Sequence, residues 1–164
     1  TAKNKINWKL LTSLPIENLS DAREKIQWYQ HRWKVETFHM ALKSGCKIEE
    51  LGLISKERYE RAITLYSIIA WRIIYITYFS RNYPKESCLK IFSSKEWKIL
   101  YMIEHRKKKA PDKIPTVDEV VLWLSKKGGY KNRKLDGPPG VKTIWKGLTR
   151  LKEMVETYEL LFCG

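Results

Sequence analysis

Apolar and polar residues alternate over Lys5–Thr12, and this period of two predicts a short strand. Downstream, apolar residues recur every three or four positions, which is typical of amphipathic helices. The first helix is predicted to begin at Asp21, as its N-cap, and to continue to about Ser44, because Gly45 is a natural stop. A lone strand needs a sheet to join, so we expect the rest of that sheet to lie before Thr1.

The second predicted helix extends from Ser55 to about Arg81. Its centre, residues 62–79, is apolar nearly all round, which fits either a buried core helix or a membrane span. Arg72 lies in the middle of this run, where an arginine costs roughly 2.5–3.5 kcal/mol in a bilayer. We therefore favour the core helix.

Capping signals predict further helices, one over Lys95–Glu104 and one that opens behind Thr116 with a capping box and ends near Ser125. The last helix, Thr143–Phe162, carries an apolar seam at alternating spacings of 4 and 3: Ile144, Leu148, Leu151, Val155, Tyr158 and Phe162. Because the seam is short, a core-facing helix and a coiled-coil dimer both remain open. The fold is predicted to be mainly α.

The charge balance points to a polyanionic partner. Among 164 residues, 32 Lys and Arg face 18 Asp and Glu, a net charge of +14. Such an excess favours nucleic acid first and an anionic membrane second. The cations are interleaved with 7 Trp and 9 Tyr, whose rings can stack on bases, and this favours nucleic acid. The 3 Cys show no CxxC spacing, so we expect free thiols in a reducing compartment.

Four polar side chains in the first helix form the most informative pattern. At 100° per residue, Tyr29, Arg32, Glu36 and Lys43 fall within about 60° of one another on one stripe. The opposite side is apolar and can be buried, with Val35, Phe38 and Leu42. A carboxylate between cations and a phenol suits a metal ion and a phosphate backbone. The simpler alternative, a surface ion pair between Arg32 and Glu36, is slightly favoured by spacing alone.

Glu36 alone supplies one metal ligand. Phosphodiester chemistry commonly uses two divalent ions about 3.5–4 Å apart, held by several carboxylates. The aspartates of this chain fall at predicted caps and loops, so we expect the partner carboxylates to come from the sequence before Thr1. Trp33 on the helix and Trp8 on the strand could stack on a base, although core packing is the commoner fate of Trp.

The stripe matches a known signature. Tyr29, Arg32, Glu36 and Lys43 resemble the Y-R-E-K motif of the IS4-type DDE transposases, the family that includes the Tn5 transposase. The flanks of the motif, Tyr-x-His-Arg-Trp-x-x-Glu-x-Phe-His, resemble the family too. Further similar blocks follow at Ala70–Arg72, Gly128–Tyr130 and Asp136–Gly147, so the resemblance spans nearly the whole chain.

The resemblance implies that the first part of the chain ends an RNase H-like α/β catalytic domain. Lys5–Thr12 would be its last strand, and Glu36 the third carboxylate that binds Mg²⁺ or Mn²⁺. Tyr29, Arg32 and Lys43 would contact the phosphates of the transposon end. Trp8 and Trp33 resemble, in position, the tryptophans that accommodate a flipped base during hairpin formation.

The resemblance also implies a domain order and a function. Residues 1–50 would complete the catalytic domain, and residues 51–164 would form a helical dimerisation region. The chain would be the C-terminal part of a cut-and-paste DNA transposase that acts in the bacterial cytoplasm at the nucleoid. The partners would be transposon ends, target DNA and a second copy, with no membrane.

The two catalytic aspartates of the family are not in this chain, so we expect the chain alone to be inactive and to hold no metal. The alternative function is a non-catalytic, basic helical module for DNA binding or dimerisation. The sequence upstream of Thr1 would discriminate between the two, since an enzyme needs two aspartates there.

Overall fold

A computed structural model describes residues 7–162, apart from the side chain of Ser44 and the burial of Gly45. The chain divides into two compact units, Thr1–Thr37 and Phe38–Gly164. The two units are groups of residues that contact one another, which is a different criterion from a domain boundary. The predicted domain limit near residue 50 therefore stays a prediction.

The first unit contains helix α1, Leu19–Gln30, and the start of helix α2, Trp33–Met40. The N-cap of α1 is Asn18, whose side chain accepts a hydrogen bond from the backbone N–H of Asp21 at 3.0 Å. The predicted N-cap at Asp21 is therefore wrong. Asn caps helices as well as Asp does, and Asp21 instead accepts from the N–H of Glu17 at 3.1 Å.

The continuous helix predicted to Ser44 is also wrong, because the backbone changes its winding twice. At the junction of α1 and α2, the N–H of Arg32 donates to Tyr29 and the N–H of Val35 to Arg32, both at 3.0 Å. These i→i−3 bonds form a tight 3₁₀-like turn. After α2, Ala41–Gly45 is a π-helical turn. The uniform rotation behind the predicted stripe does not hold across either segment.

The strand predicted over Lys5–Thr12 is not formed at residues 7–12, and residues 5 and 6 lie outside the described part of the chain. A strand is defined by hydrogen bonds to a partner strand, and between residues 7 and 162 the one β-bridge joins Ser87 to Thr116. The prediction of a mainly α fold is confirmed.

The second unit is a packed helical body. The π-turn is followed by a 3₁₀ turn at Ile48–Glu50 and by helix α3, Lys56–Asn82. A second 3₁₀ turn, Cys88–Lys90, leads to three more helices: α4 (Ser94–His105), α5 (Val117–Lys127) and α6 (Val141–Phe162). Helix α6 packs against α3, α4 and α5. Large fully buried side chains of the core are Trp97, Phe92, Ile73, Ile76, Leu100, Leu124, Ile144 and Leu151.

Local side chains cap these helices, and the predicted caps at Ser55 and Thr116 are confirmed, whereas α4 begins one residue before the predicted Lys95. The Ser55 hydroxyl accepts from the N–H of Arg58 at 3.3 Å and opens α3. Thr116 and Glu119 form the predicted capping box at α5. An equivalent box of Ser93 and Glu96 opens α4, so each of these helix starts is fixed by a local side chain.

The apolar seam of α6 is buried in the first half of the helix and exposed at its end. Ile144 and Leu151 are fully buried, so the first half of the helix faces the core. At the end of α6, Leu160, Leu161 and Phe162 are exposed. The core-facing alternative is therefore correct for the first half, while the last turns leave an apolar surface uncovered.

Helix α3 is long and apolar enough to cross a membrane by length and composition, which for a single helix is weak evidence. One of its faces is buried on neighbouring helices, with Ala70, Ile73, Ile76 and Thr77. The other face leaves Leu65, Ile68 and Trp71 exposed. The expectation of a core helix thus holds for one face, and the helix is not buried all round.

Arg72 of α3 forms an ion pair with Glu96 of α4. Its guanidinium donates to the Glu96 carboxylate at 2.6 Å. Burial raises the pKa of Glu96, but the bonds from Arg72 and from the Ser93 backbone outweigh it and leave the pKa below its ordinary value of 4.5. A carboxylate whose pKa is lowered by folding stabilises the folded state at pH values above its ordinary pKa. This stabilisation is lost as the pH falls through the lowered pKa of the folded state.

We expect Arg72→Gln to shrink the loss of stability as the pH falls below the ordinary glutamate pKa of 4.5, because Glu96 then loses the Arg72 bond that lowers its pKa. The free energy of unfolding near neutral pH should fall by up to about 1 kcal/mol, since the pair is partly exposed. Urea unfolding at several pH values measures both effects. Lys152→Gln is the control, because its pair with Glu156 is exposed and 3.7 Å long. An unchanged pH profile in Arg72→Gln would show that the ion pair does not set the pKa of Glu96.

Cys46 and Cys88 are free, as the sequence predicts, and both are buried, while Cys163 lies outside the described residues. Burial raises the pKa of the Cys46 thiol and raises that of Cys88 to about 11. Both thiols therefore behave as small core residues rather than as nucleophiles.

Candidate nucleic-acid interface

The tight junction between α1 and α2 gathers polar and aromatic side chains around Arg32. Its guanidinium lies 2.8 Å from a carboxylate oxygen of Glu36. The guanidinium carbon is 5.5 Å from the ring centre of Tyr29 and 6.0 Å from that of Trp33. These distances fit cation–π contacts. The junction thus presents a cation, an acid and two rings on the surface of the first unit.

Glu36 pairs with Arg32 in the way that the simpler alternative predicts. The Glu36 side chain is 38% exposed and the Arg32 side chain 56%, so the pair is open to solvent. A solvent-exposed pair contributes about 0–1 kcal/mol. A phosphate can therefore bind Arg32, and a cation can bind Glu36, with only a small loss in the free energy of unfolding.

Metal binding needs more than Glu36 provides. Within residues 7–162, no group of three or more His, Cys, Asp or Glu side chains could hold a metal ion. Mg²⁺ takes six oxygen ligands, usually carboxylates and waters. The donor set found here fits one ligand position of such an ion and does not make a complete site.

Lys43 belongs to the second unit and lies in the π-helical turn Ala41–Gly45. Its ammonium group pairs with Glu49 at 2.7 Å, and both side chains are exposed. The turn is closed by the N–H of Cys46, which donates to the carbonyl of Ala41 at 3.0 Å. Single π-turns occur frequently at functional sites, and this one carries the solvent-accessible ammonium group of Lys43.

Trp8 and Tyr29 line the same groove in the first unit. The groove has a volume of about 680 Å³ and a mostly apolar lining that includes Leu14, Ile26 and Trp28. Trp8 is 72% exposed, so its ring is free to stack on a flat ligand. A groove of this kind can hold an unpaired base against aromatic faces. Trp33 does not line the groove, so the two candidate tryptophans are not brought together there.

Sequence reasoning missed two members of this groove. Lys25 and Trp28 both line it, and the Lys25 ammonium lies 3.8 Å from the Trp28 ring centre. The signal available in the sequence was the position of Lys25 one turn before Tyr29 and next to Ile26 on the same helix. The two residues add a cation and a further ring to the groove.

Two family models match this chain. Residues 1–72 match the model described as the transposase DDE domain, and residues 68–160 match the model described as the Tn5 transposase dimerisation domain. Every predicted site residue falls within the first match, and the helices α4 and α5 fall within the second.

Proposed function

We propose that this chain, which belongs to the family of transposases with a Tn5 dimerisation domain, supplies one metal ligand and part of the DNA surface of a cut-and-paste transposase. The observation that carries the proposal is the order of the two matches: the DDE domain ends where the dimerisation domain begins, inside α3. The site residues lie in the first and the packed helical body mostly in the second.

Glu36 is the carboxylate that we assign to the metal, Mg²⁺ or Mn²⁺, in the complete enzyme. When bound, the metal activates the attacking oxygen and neutralises charge on the phosphodiester. The remaining carboxylates would come from the rest of the catalytic domain. The chain alone is therefore proposed to be inactive.

The DNA contacts follow from the exposed cations and rings. Arg32 can grip a phosphate with two N–H groups once Glu36 turns to the metal, and Lys43 supplies a point charge. Tyr29 donates a hydrogen bond from its hydroxyl. Trp8 and Trp33 are the proposed stacking faces for a flipped base, whose unstacking costs a few kcal/mol.

The match to a dimerisation domain supports a homodimer. The exposed apolar end of α6 borders a groove of about 720 Å³ against α4, lined in part by Ile99, Met102, Met154 and Tyr158. We assign this groove to the second copy. The dimer would pair two transposon ends and later engage target DNA, in the bacterial cytoplasm at the nucleoid.

In the full-length transposase, we expect Lys43→Ala to weaken binding of the transposon end and to flatten its dependence on salt. One lost phosphate contact lowers the slope of log K against log salt by about 0.9. Filter binding or fluorescence anisotropy at several salt concentrations measures the slope. Lys34→Ala is the matched control, an exposed lysine without an ion pair in the described structure. A slope unchanged by Lys43→Ala would place Lys43 away from the DNA.

A further inference from the structure

A second concentration of positive charge lies outside the site around Glu36. Residues 126–150 contain eight Lys and Arg but a single acidic residue, Asp136. Seven of these cations are exposed. We call the six that follow the end of α5 the loop–α6 patch: Lys131, Arg133, Lys134, Lys142, Lys146 and Arg150. The segment therefore supplies almost no acid of its own to offset this charge.

Ion pairs distinguish the patch from its neighbours. Lys126 and Lys127 are held by the two carboxylate oxygens of Glu104, at 2.8 and 2.7 Å. Within the described residues, none of the six patch side chains forms an ion pair. The fold therefore neutralises the lysines at the end of α5 and leaves those of the loop and of α6 available.

The loop is held against α6 by its backbone. A Cβ added at Gly128 would lie 1.9 Å from the carbonyl oxygen of Thr143, so the end of α5 and the start of α6 are in close contact. The Arg150 guanidinium donates to the carbonyl of Lys127 across the same contact. The loop therefore starts from a point packed on α6, along which Lys142, Lys146 and Arg150 recur every four residues on one face.

Internal hydrogen bonds give the loop a defined shape. The Tyr130 hydroxyl donates to the carbonyl of Gly137 at 2.8 Å. The Asp136 carboxylate accepts from the backbone N–H of Arg133 at 2.8 Å, so the one acid of the segment is used to close the loop. An ordered loop pays less entropy on binding than a disordered one would.

We propose that the loop–α6 patch is a second DNA-backbone contact surface, carried by the dimerisation region and formed by residues other than those of the Glu36 site. This inference rests on the proposed function, because it takes DNA as the polyanion. Exposed lysines and arginines contact phosphates and position a duplex without reading its sequence. The patch lies within residues 68–160, so the dimerisation region would hold DNA as well as a second copy.

The composition of the patch favours DNA over an anionic membrane. A segment that binds a membrane surface combines cations with an apolar face that enters the headgroup region. Between residues 126 and 150, Leu135 is the one large apolar side chain that is well exposed. A lone leucine does not make such a face.

The test uses the 164-residue chain and a duplex DNA of arbitrary sequence. The patch variant carries Lys131→Gln, Lys134→Gln and Lys146→Gln. The control variant carries Lys90→Gln, Lys98→Gln and Lys113→Gln, three exposed lysines of the same unit that form no ion pair with described residues. We expect the patch variant to bind at least about tenfold more weakly near physiological salt and to lower the salt slope by about 2.7, with the control within about twofold of the parent.

Four results would overturn the inference. Equal losses in the patch and control variants would mean a general effect of charge, and a parent chain that does not bind duplex DNA would leave the patch without this partner. Binding to phosphatidylserine vesicles that the patch variant loses, with DNA binding intact, would assign the patch to a membrane. If the patch variant keeps its slope while Lys43→Ala lowers that of the full-length enzyme, the inference fails and the proposed function stands.

Discussion

Substituting Glu36→Gln in the full-length transposase should reduce cleavage at the transposon end by about 10³-fold or more. The amide keeps the size of the side chain but removes the charge that binds the metal, and a metal's contribution to the transition state is worth several kcal/mol. Binding of the transposon end should stay nearly intact, because the substitution releases Arg32 from its 2.8 Å pair and leaves that cation for phosphate.

A gel assay of strand cleavage beside an end-binding assay separates the two effects. Glu50→Gln is the control, since Glu50 is exposed and pairs only with Lys47 at 2.7 Å among the described contacts. It should leave cleavage unchanged. Undiminished cleavage by the Glu36→Gln enzyme would remove Glu36 from the active site.

The second large effect concerns the packing of α5 against α6. A Cβ at Gly147 would lie 2.4 Å from the carbonyl oxygen of Leu124, which is backbone and cannot rotate away. Gly147→Ala should therefore lower the free energy of unfolding by about 1–3 kcal/mol, the usual cost of overpacking. The intrinsic helix preference of Ala, up to about 1 kcal/mol over Gly, opposes this loss but does not cancel it.

Urea unfolding of the chain measures the change in stability. Gly140→Ala is the matched control, because its Cβ would meet nothing within 4 Å. We expect that variant to stay within about 0.5 kcal/mol of the parent. Equal stability of the two variants would show that α5 and α6 can separate without cost at Gly147.

The second unit could be predicted well because its helix starts are fixed by local side chains. Ser55 caps α3 and the Thr116–Glu119 box opens α5, and both signals lie in a few consecutive residues. The periodicity of apolar residues predicted helix α3 but not which of its faces is buried. Its centre is apolar nearly all round, so the pattern could not tell the buried face from the one that exposes Ile68 and Trp71.

The first unit was predicted less well, and the reasons are physical. Neither Gly nor Pro occurs at residues 31–32, where the helix is interrupted, so no local signal marked the break. The π-turn at Ala41–Gly45 also has no breaker before Gly45. The strand depends on a partner strand, and the residues described here provide none at 7–12.

The candidate site was predictable where it depends on spacing along one helix. The separation of Arg32 and Glu36 by four residues foretold their pair. The partner of Lys43 was not foreseen, because Glu49 reaches it only through the turns that follow α2. The groove beside Trp8 depends on how residues 8–16 fold back on α1, and short-range patterns do not contain that information.

The central claim is that Glu36 binds a divalent metal during DNA cleavage, and exchange of the ligand type tests it most directly. In the full-length enzyme, Glu36→Cys places a soft thiolate where a hard oxygen ligand stood, and thiolates select softer ions over Mg²⁺. We expect this enzyme to be inactive with Mg²⁺ and to regain cleavage with Mn²⁺ or Zn²⁺, while Glu36→Gln regains none. Activity of Glu36→Cys with Mg²⁺ equal to that of the parent, or no recovery with any softer ion, would contradict the claim.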